Sequence, residues 1–216
     1  MSNDANAARA ILTRSGIMPV VTVTSAEQGV AIARALVAGG LSAIEVTLRS
    51  AAALDAVRAI KQATPQLLVG VGTVCHAGHV RAAEAAGADF LVSPGTTPAL
   101  AEALLASTLP SIPGAATPSE IMALLDHGFS CVKLFPASAL GGIARIKALA
   151  GPFPDLRLCP TGGIGEHDAA DYLAQPNVLC VGGSWMVASA WLAAGDYAAV
   201  TASAANARAL IDRVRG

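Results

Sequence analysis

The chain has 216 residues, of which 54% are hydrophobic, 13% charged and 4% aromatic, and its formal net charge is −1. One domain spanning 1–216 with a large core is the expected organisation, since single α/β barrels reach this size. A near-neutral charge with no basic stripe excludes nucleic acid as an expected partner.

In chain order, a helix is predicted over about Ala5 to Arg14. The stretch Met1 to Arg14 is polar and alanine-rich, with no apolar leader segment. Strand-like runs then follow at Ile17–Val23, Ala43–Thr47, Leu67–Val71, Phe90–Val92, Ser111–Pro113, Cys131–Phe135, Arg157–Pro160 and Val178–Val181. Their starts lie 20 to 26 residues apart, about one βα unit. Eight such units with no long linker predict a closed (β/α)8 TIM barrel with an N-terminal helix. A doubly wound sheet is the alternative.

The intervening segments carry helix signals. Ser25 with Gln28, Thr97-Pro98 and Thr117-Pro118-Ser119-Glu120 open helices, the last as a capping box. Gly39, Gly87 and Gly128 suit the left-handed position that ends one. Tyr172 to Gly195 lacks charge, yet Pro176 and Gly182-Gly183 break any spanning helix, so no membrane association is expected. A final helix is predicted over Tyr197 to Arg215.

Of the four cysteines, three lie in apolar strand-like runs and none forms a CxxC pair. They read as small hydrophobes in a reducing cytoplasm. His76 and His79 near Cys75 lack a third ligand in the sequence, so no metal is expected there. His127 and His167 read as helix-end polar residues.

The most informative stretch is Ser130-Cys131-Val132-Lys133-Leu134-Phe135-Pro136-Ala137. It is a short buried strand that carries one of only three lysines. Charge is costly in such a strand. A desolvated lysine with its pKa lowered by about 3 units is half amine near pH 7, which is what a Schiff-base lysine needs. A purely structural ion pair, or a lysine snorkelling from the strand end, is the other reading.

Glu45 poses the same question within Ile44-Glu45-Val46-Thr47-Leu48-Arg49. Alternation puts Ala43, Glu45 and Thr47 on one face and Ile44 and Val46 on the other, so Glu45 is expected to point inward. A structural pair and an active site both predict contact between Glu45 and Lys133. Arg49 suits a carboxylate, although taken alone it reads first as a surface arginine. Gly70, Gly72 and Thr73, with Ser93-Pro94-Gly95-Thr96, either leave room for a ligand at strand ends or serve as plain turns. Pro160-Thr161-Gly162-Gly163-Ile164 and Val181-Gly182-Gly183-Ser184-Trp185 put glycine pairs after the seventh and eighth predicted strands, where barrels hold phosphate.

Taken together, Glu45-Val46-Thr47-Leu48-Arg49, Gly72-Thr73-Val74, Ser93-Pro94-Gly95, Lys133-Leu134-Phe135-Pro136, Pro160-Thr161-Gly162-Gly163-Ile164 and Gly182-Gly183-Ser184-Trp185 resemble the 2-keto-3-deoxy-6-phosphogluconate (KDPG) and 4-hydroxy-2-oxoglutarate (KHG) aldolase family over nearly the whole chain. The resemblance implies a class I aldolase on a (β/α)8 barrel, a homotrimer with no cofactor or metal, acting on a phosphorylated 2-keto acid with pyruvate as product. It makes Lys133 the Schiff-base lysine and Glu45 the acid/base. Arg49 and Thr73 would hold the pyruvate end. Gly162, Gly163, Gly183 and Ser184 would hold phosphate, with Thr161 near the substrate hydroxyls and Pro94 and Phe135 completing the binding set. Ser50 replaces an expected threonine, Ser138 an expected glutamate, and Cys75 to His79 is atypical. Two rivals share the phosphate signature: a non-covalent phosphosugar isomerase or epimerase, and a non-catalytic phosphosugar-binding barrel.

Overall fold

Parallel strands alternate with helices along the chain in a computed structural model that describes residues 5–216. The strands are β1 (Ile17–Val21), β2 (Ala43–Thr47), β3 (Leu68–Gly72), β4 (Phe90–Val92), β5 (Ser111–Ile112), β6 (Gly114–Ala115), β7 (Cys131–Leu134), β8 (Arg157–Pro160) and β9 (Val181–Gly183). They pair in the orders β5-β4-β3-β2-β1-β9 and β6-β7-β8, every pairing parallel. Isolated parallel bridges join Leu158 to Val178 and Thr161 to Gly182. The result is an α/β fold built on a curled parallel sheet.

Three predicted strands, Ile17–Val23, Leu67–Val71 and Cys131–Phe135, shift at their ends by one or two residues, and two others differ in more than their ends. Of the run Ser111–Pro113 only Ser111–Ile112 is strand, β5; Pro113 has no N–H to give the ladder, and a separate short strand, β6, follows at Gly114–Ala115. The Pro113 carbonyl still accepts from Lys133 N (2.9 Å), and the next amide, Gly114 N, donates to the Ser93 hydroxyl at 2.9 Å. The last predicted strand begins later than expected. Leu179 N donates to Leu158 O, so this part of the chain stays on β8, and only from Val181 does it pair with β1.

The core has two parts. One lies between the strands and the outer helices and contains Ile44, Val46, Val69 and Val132. The other fills the concave side of the sheet with Met18, Ala43, Phe90, Cys131, Cys159 and Cys180. Ala8, Ile11 and Leu12 of the helix Ala5–Ser15 pack into this second cluster. Ala43, Phe90 and Cys131 begin their strands, so this helix covers the N-terminal end of the sheet. The C-terminal end is left for the site.

The helix signals act as read. Ser25 accepts from Gln28 N, and Thr97 from Leu100 N. Thr117 accepts from Glu120 N, while Glu120 Oε2 accepts from Thr117 N at 2.8 Å and Ala116 N at 2.6 Å. The first helical glycine is a correction. Gly39 has φ −81°, and Gly40 takes the left-handed conformation instead, at φ +86°. Gly39 is required for another reason, because a Cβ there would lie 2.4 Å from Ala204 Cβ. The helix Tyr197–Arg215 lies against it. No helix among the described residues is long and apolar enough to cross a membrane.

Thr117→Ala is expected to cost about 1 kcal/mol, read from the urea midpoint. The amides of Ala116 and Thr117 hold the Glu120 carboxyl below its usual range. Its folded value being lowered, its share of stability is present above the ordinary carboxylate value and is lost as pH falls through the lowered one.

Candidate active site

Lys133 stands in β7 between Gly114 of β6 and Cys159 of β8. Small neighbours on both sides leave its long side chain free to cross the concave space. Its Nζ donates to Glu45 Oε1 at 3.0 Å and Oε2 at 3.3 Å. The two side chains are only 5% and 4% exposed. An ion pair this deep is held by geometry, since desolvation opposes it and each partner's removal would strand the other. The Phe135 ring centroid lies 5.6 Å from the same Nζ.

Glu45 reaches the lysine across β3. A Cβ on Gly72 would lie 2.1 Å from Glu45 Oε1, and one on Gly70 would lie 2.1 Å from the Phe90 ring. These glycines therefore do not leave room for a ligand, as their sequence pattern implies. Their missing side chains are replaced by the carboxylate of Glu45 and the ring of Phe90.

Beside the pair opens a cavity of about 620 Å³ at the C-terminal ends of the strands. Among the residues singled out in the sequence, Arg49, Lys133, Phe135, Thr161, Gly162, Gly163, Gly183 and Ser184 line it. Glu45, Thr73 and Pro94 do not. Glu45 acts on the cavity through its contact with Lys133. Thr73 accepts from Arg49 Nε at 3.3 Å and so orients the guanidinium. Its own φ of +62° is rare for a β-branched residue, the kind of strain that collects at functional sites. Pro94 instead packs its backbone against Gly114, where a Cβ would lie 2.4 Å from the Pro94 carbonyl carbon.

The loops after β8 and β9 form the far wall. Gly162 and Gly163 have φ of +99° and +73°. The Gly162 N–H faces Gly182 in the parallel bridge from Thr161, while the N–H groups of Gly163 and Ser184 make no loop hydrogen bond among the described residues, which leaves donors for an anion. The other two glycines serve packing. A Cβ on Gly182 would lie 2.3 Å from Thr161 Oγ1, and one on Gly183 would lie 1.8 Å from the Trp185 ring. The loop after β7 fastens this wall: Ala137 N donates to Thr161 O (2.8 Å), Ser138 N to Gly162 O (3.1 Å), and Ser138 Oγ to Gly163 O (2.7 Å). Ser138 thus has a structural task of its own. Ser50, the other departure, buries its hydroxyl with no partner among the described residues.

Two groups near the site remain outside the cavity. Cys159 and Cys180 are buried beneath the lysine. Burial pushes the Cys180 thiol well up, whereas a hydrogen bond from Cys180, helped by the charge of Lys133, lowers that of Cys159. The rings of His76 and His79 lie tilted by 39° with centroids 3.7 Å apart, and Cys75 Sγ donates to Thr73 O at 3.3 Å. Burial and the facing His76 lower the pKa of His79.

Sequence reading missed part of the lining. Val187, Ala188, Ser189 and Leu192 come from the segment after Trp185, which carries no motif. Thr22 also lines the cavity. Its one sequence signal is a hydroxyl at the C-terminal end of a predicted strand.

The model of the KDPG and KHG aldolase family matches residues 8–203. A KHG/KDPG aldolase of Escherichia coli (strain K12) is 46% identical over 207 residues, covering 96% of this chain and 97% of that one. A crystal structure of KDPG aldolase from Legionella pneumophila, with pyruvate captured at low pH as a covalent carbinolamine intermediate, superposes with TM-score 0.90 at 40% identity, over 92% of this chain and 96% of that one. The 2-keto-3-deoxy-6-phosphogluconate aldolase of Zymomonas mobilis with 3-phosphoglycerate gives TM-score 0.89 at 39% identity, over 97% of each chain. With a buried lysine and glutamate in contact at the edge of such a cavity, and with similarity spanning nearly its whole length, this chain belongs to the KDPG and KHG aldolase family.

Proposed function

We propose that the protein is a class I aldolase that reversibly cleaves 2-dehydro-3-deoxy-6-phosphogluconate to pyruvate and glyceraldehyde 3-phosphate, and also 4-hydroxy-2-oxoglutarate to pyruvate and glyoxylate. The observation that carries this reading is the 3.0 Å contact between Lys133 Nζ and Glu45 Oε1 beside the cavity. Proton transfer inside this pair yields an amine next to a carboxylic acid without sending charge to solvent.

The amine attacks C2 of the keto acid, and the carbinolamine forms. Glu45 gives a proton to its hydroxyl, water leaves, and a protonated imine remains on Lys133. Glu45, now a carboxylate, takes the proton of the C4 hydroxyl. The C3–C4 bond breaks, its electron pair moves toward the imine nitrogen, and the aldehyde departs. The enamine is protonated at C3 and hydrolysed, which releases pyruvate and restores the amine. Acid/base work by one positioned group contributes about 10²–10⁴ in rate. Arg49, oriented by Thr73, binds the pyruvate carboxylate, and Phe135 flanks the imine. The backbone at Gly162, Gly163 and Ser184 receives the phosphate, the N–H groups of Gly163 and Ser184 as donors, with Gly183 beside them and Thr161 near the substrate hydroxyls. Pro94 shapes the site from behind, through Gly114.

The same reading takes the curled sheet as a closed eight-stranded barrel. The bridge from Thr161 to Gly182 and the interruption of one strand at Pro113 alone support it. It further takes 1–216 as one domain, working in the cytoplasm as a homotrimer, as the family resemblance implies. A phosphosugar isomerase without covalent catalysis gives no reason for a lysine and a glutamate buried together.

Borohydride reduction in the presence of pyruvate, followed by peptide mass mapping, is expected to leave a reduced pyruvyl adduct on Lys133. An unmodified Lys133 peptide would refute the reading. Ser184→Leu should raise KM for the phosphorylated substrate about tenfold or more, by crowding the anion seat. The effect on 4-hydroxy-2-oxoglutarate should be smaller, and steady-state kinetics on both substrates would show equal effects if Ser184 does not face the phosphate.

A further inference from the structure

Thr22 follows the last residue of β1, a strand that lies between β2, which carries Glu45, and β9, which leads to Ser184. Its hydroxyl is 2.8 Å from Thr47 Oγ1, and Thr47 Oγ1 is 3.1 Å from Val21 O. A carbonyl only accepts, and each hydroxyl has one proton. Only one assignment satisfies both bonds: Thr47 donates to Val21 O, and Thr22 donates to Thr47. The proton of Thr22 is therefore occupied, and its oxygen keeps two lone pairs, so toward the cavity that the residue lines it can act only as an acceptor.

From this we infer that Thr22 is a specificity residue, accepting a hydrogen bond from the substrate hydroxyl on the carbon next to the phosphate-bearing one. The assignment rests on the aldolase reading above and adds to it the recognition of one group. Lys133 on β7 fixes C2, and Glu45 takes the C4 hydroxyl proton. The phosphate seat lies at the loops after β8 and β9. Thr161 meets the substrate hydroxyls from the β8 end, and Thr22, at the strand end beside β9 and β2, offers the C5 hydroxyl a second acceptor in the same lining. A fixed acceptor favours a substrate with that hydroxyl over one without it, and 4-hydroxy-2-oxoglutarate has none at that position. Because Thr22 is itself exposed, water partly replaces a lost partner. The discrimination is accordingly about three- to tenfold rather than the far larger factors of a fully dry polar site.

The test compares kcat/KM for condensation of pyruvate with glyceraldehyde 3-phosphate and with 3-oxopropyl phosphate, which lacks the hydroxyl. Both acceptors share aldehyde and phosphate, so damage to folding or to the lysine end cancels in the ratio. The unaltered protein should prefer glyceraldehyde 3-phosphate. Thr22→Val should lower that preference about three- to tenfold, Thr22→Ala should do the same with less bulk, and Thr22→Ser should retain it. A preference unchanged in both the valine and alanine variants, with the pyruvate imine still trapped on Lys133, would overturn the assignment alone. Failure of the unaltered protein to form that imine would overturn the aldolase reading and this assignment together.

Discussion

Lys133→Ala should reduce turnover to the limit of detection and abolish the borohydride-trapped pyruvyl adduct. No other lysine reaches the cavity wall: Lys61 is paired with Asp89 at 2.6 Å, and Lys147 sits in the last turn of the helix Gly142–Ala150. The substitution also strands Glu45. Breaking one side of a buried pair costs about 3–5 kcal/mol, so the alanine protein should melt earlier. Lys133→Arg separates chemistry from stability. Arginine keeps the positive partner for Glu45 but is not deprotonated in proteins, and so supplies no nucleophile. Its melting temperature should lie nearer the unaltered protein while its activity stays absent. Normal turnover by either variant would remove the covalent mechanism.

Glu45→Gln should slow turnover by about 10²–10³ while leaving slow imine formation with pyruvate detectable. Glutamine keeps the length and one acceptor for Lys133, so the amine stays in place. What it loses is the ability to give and take protons, on which dehydration, C4 deprotonation and enamine protonation all depend. The slowing should therefore appear in kcat more than in KM. Rapid-quench trapping of the pyruvyl adduct would locate it. An unchanged kcat would mean that another group or a water carries the protons, and that the 3.0 Å contact is structural only.

Much of this site was legible before any fold. Lys133 and Glu45 stand out because an ionisable group in an apolar strand needs a partner or a task. Alternation of side chains correctly turned Ala43 toward the inner cluster and Ile44 and Val46 toward the helices. The glycine pairs after β8 and β9 pointed to two tight loops, and Gly162 and Gly163 carry the positive φ that only glycine adopts readily. Thr117 with Glu120 capped the helix it was read to cap.

Other features were not local. Gly70 and Gly72 look like open space in sequence, and Phe90 and Glu45 fill it from neighbouring strands. Gly39 reads as a helix end, yet what it accommodates is Ala204, far along the chain. Pro94 and Thr73 belong to the family motif but support the cavity from behind. Thr22 looks like any strand threonine until Thr47 takes its proton.

The amino-acid order by itself therefore determined which ionisable groups stand in buried strands and the rhythm of strand and helix, because burial cost, side-chain alternation and capping act over a few residues. The tertiary structure alone decided which of those groups touch: 88 residues separate Lys133 from Glu45, and only the curl of the sheet brings them within hydrogen-bond distance. It also decided where empty volume remains, since the space left by a missing side chain is claimed by whichever neighbour the packing brings against it.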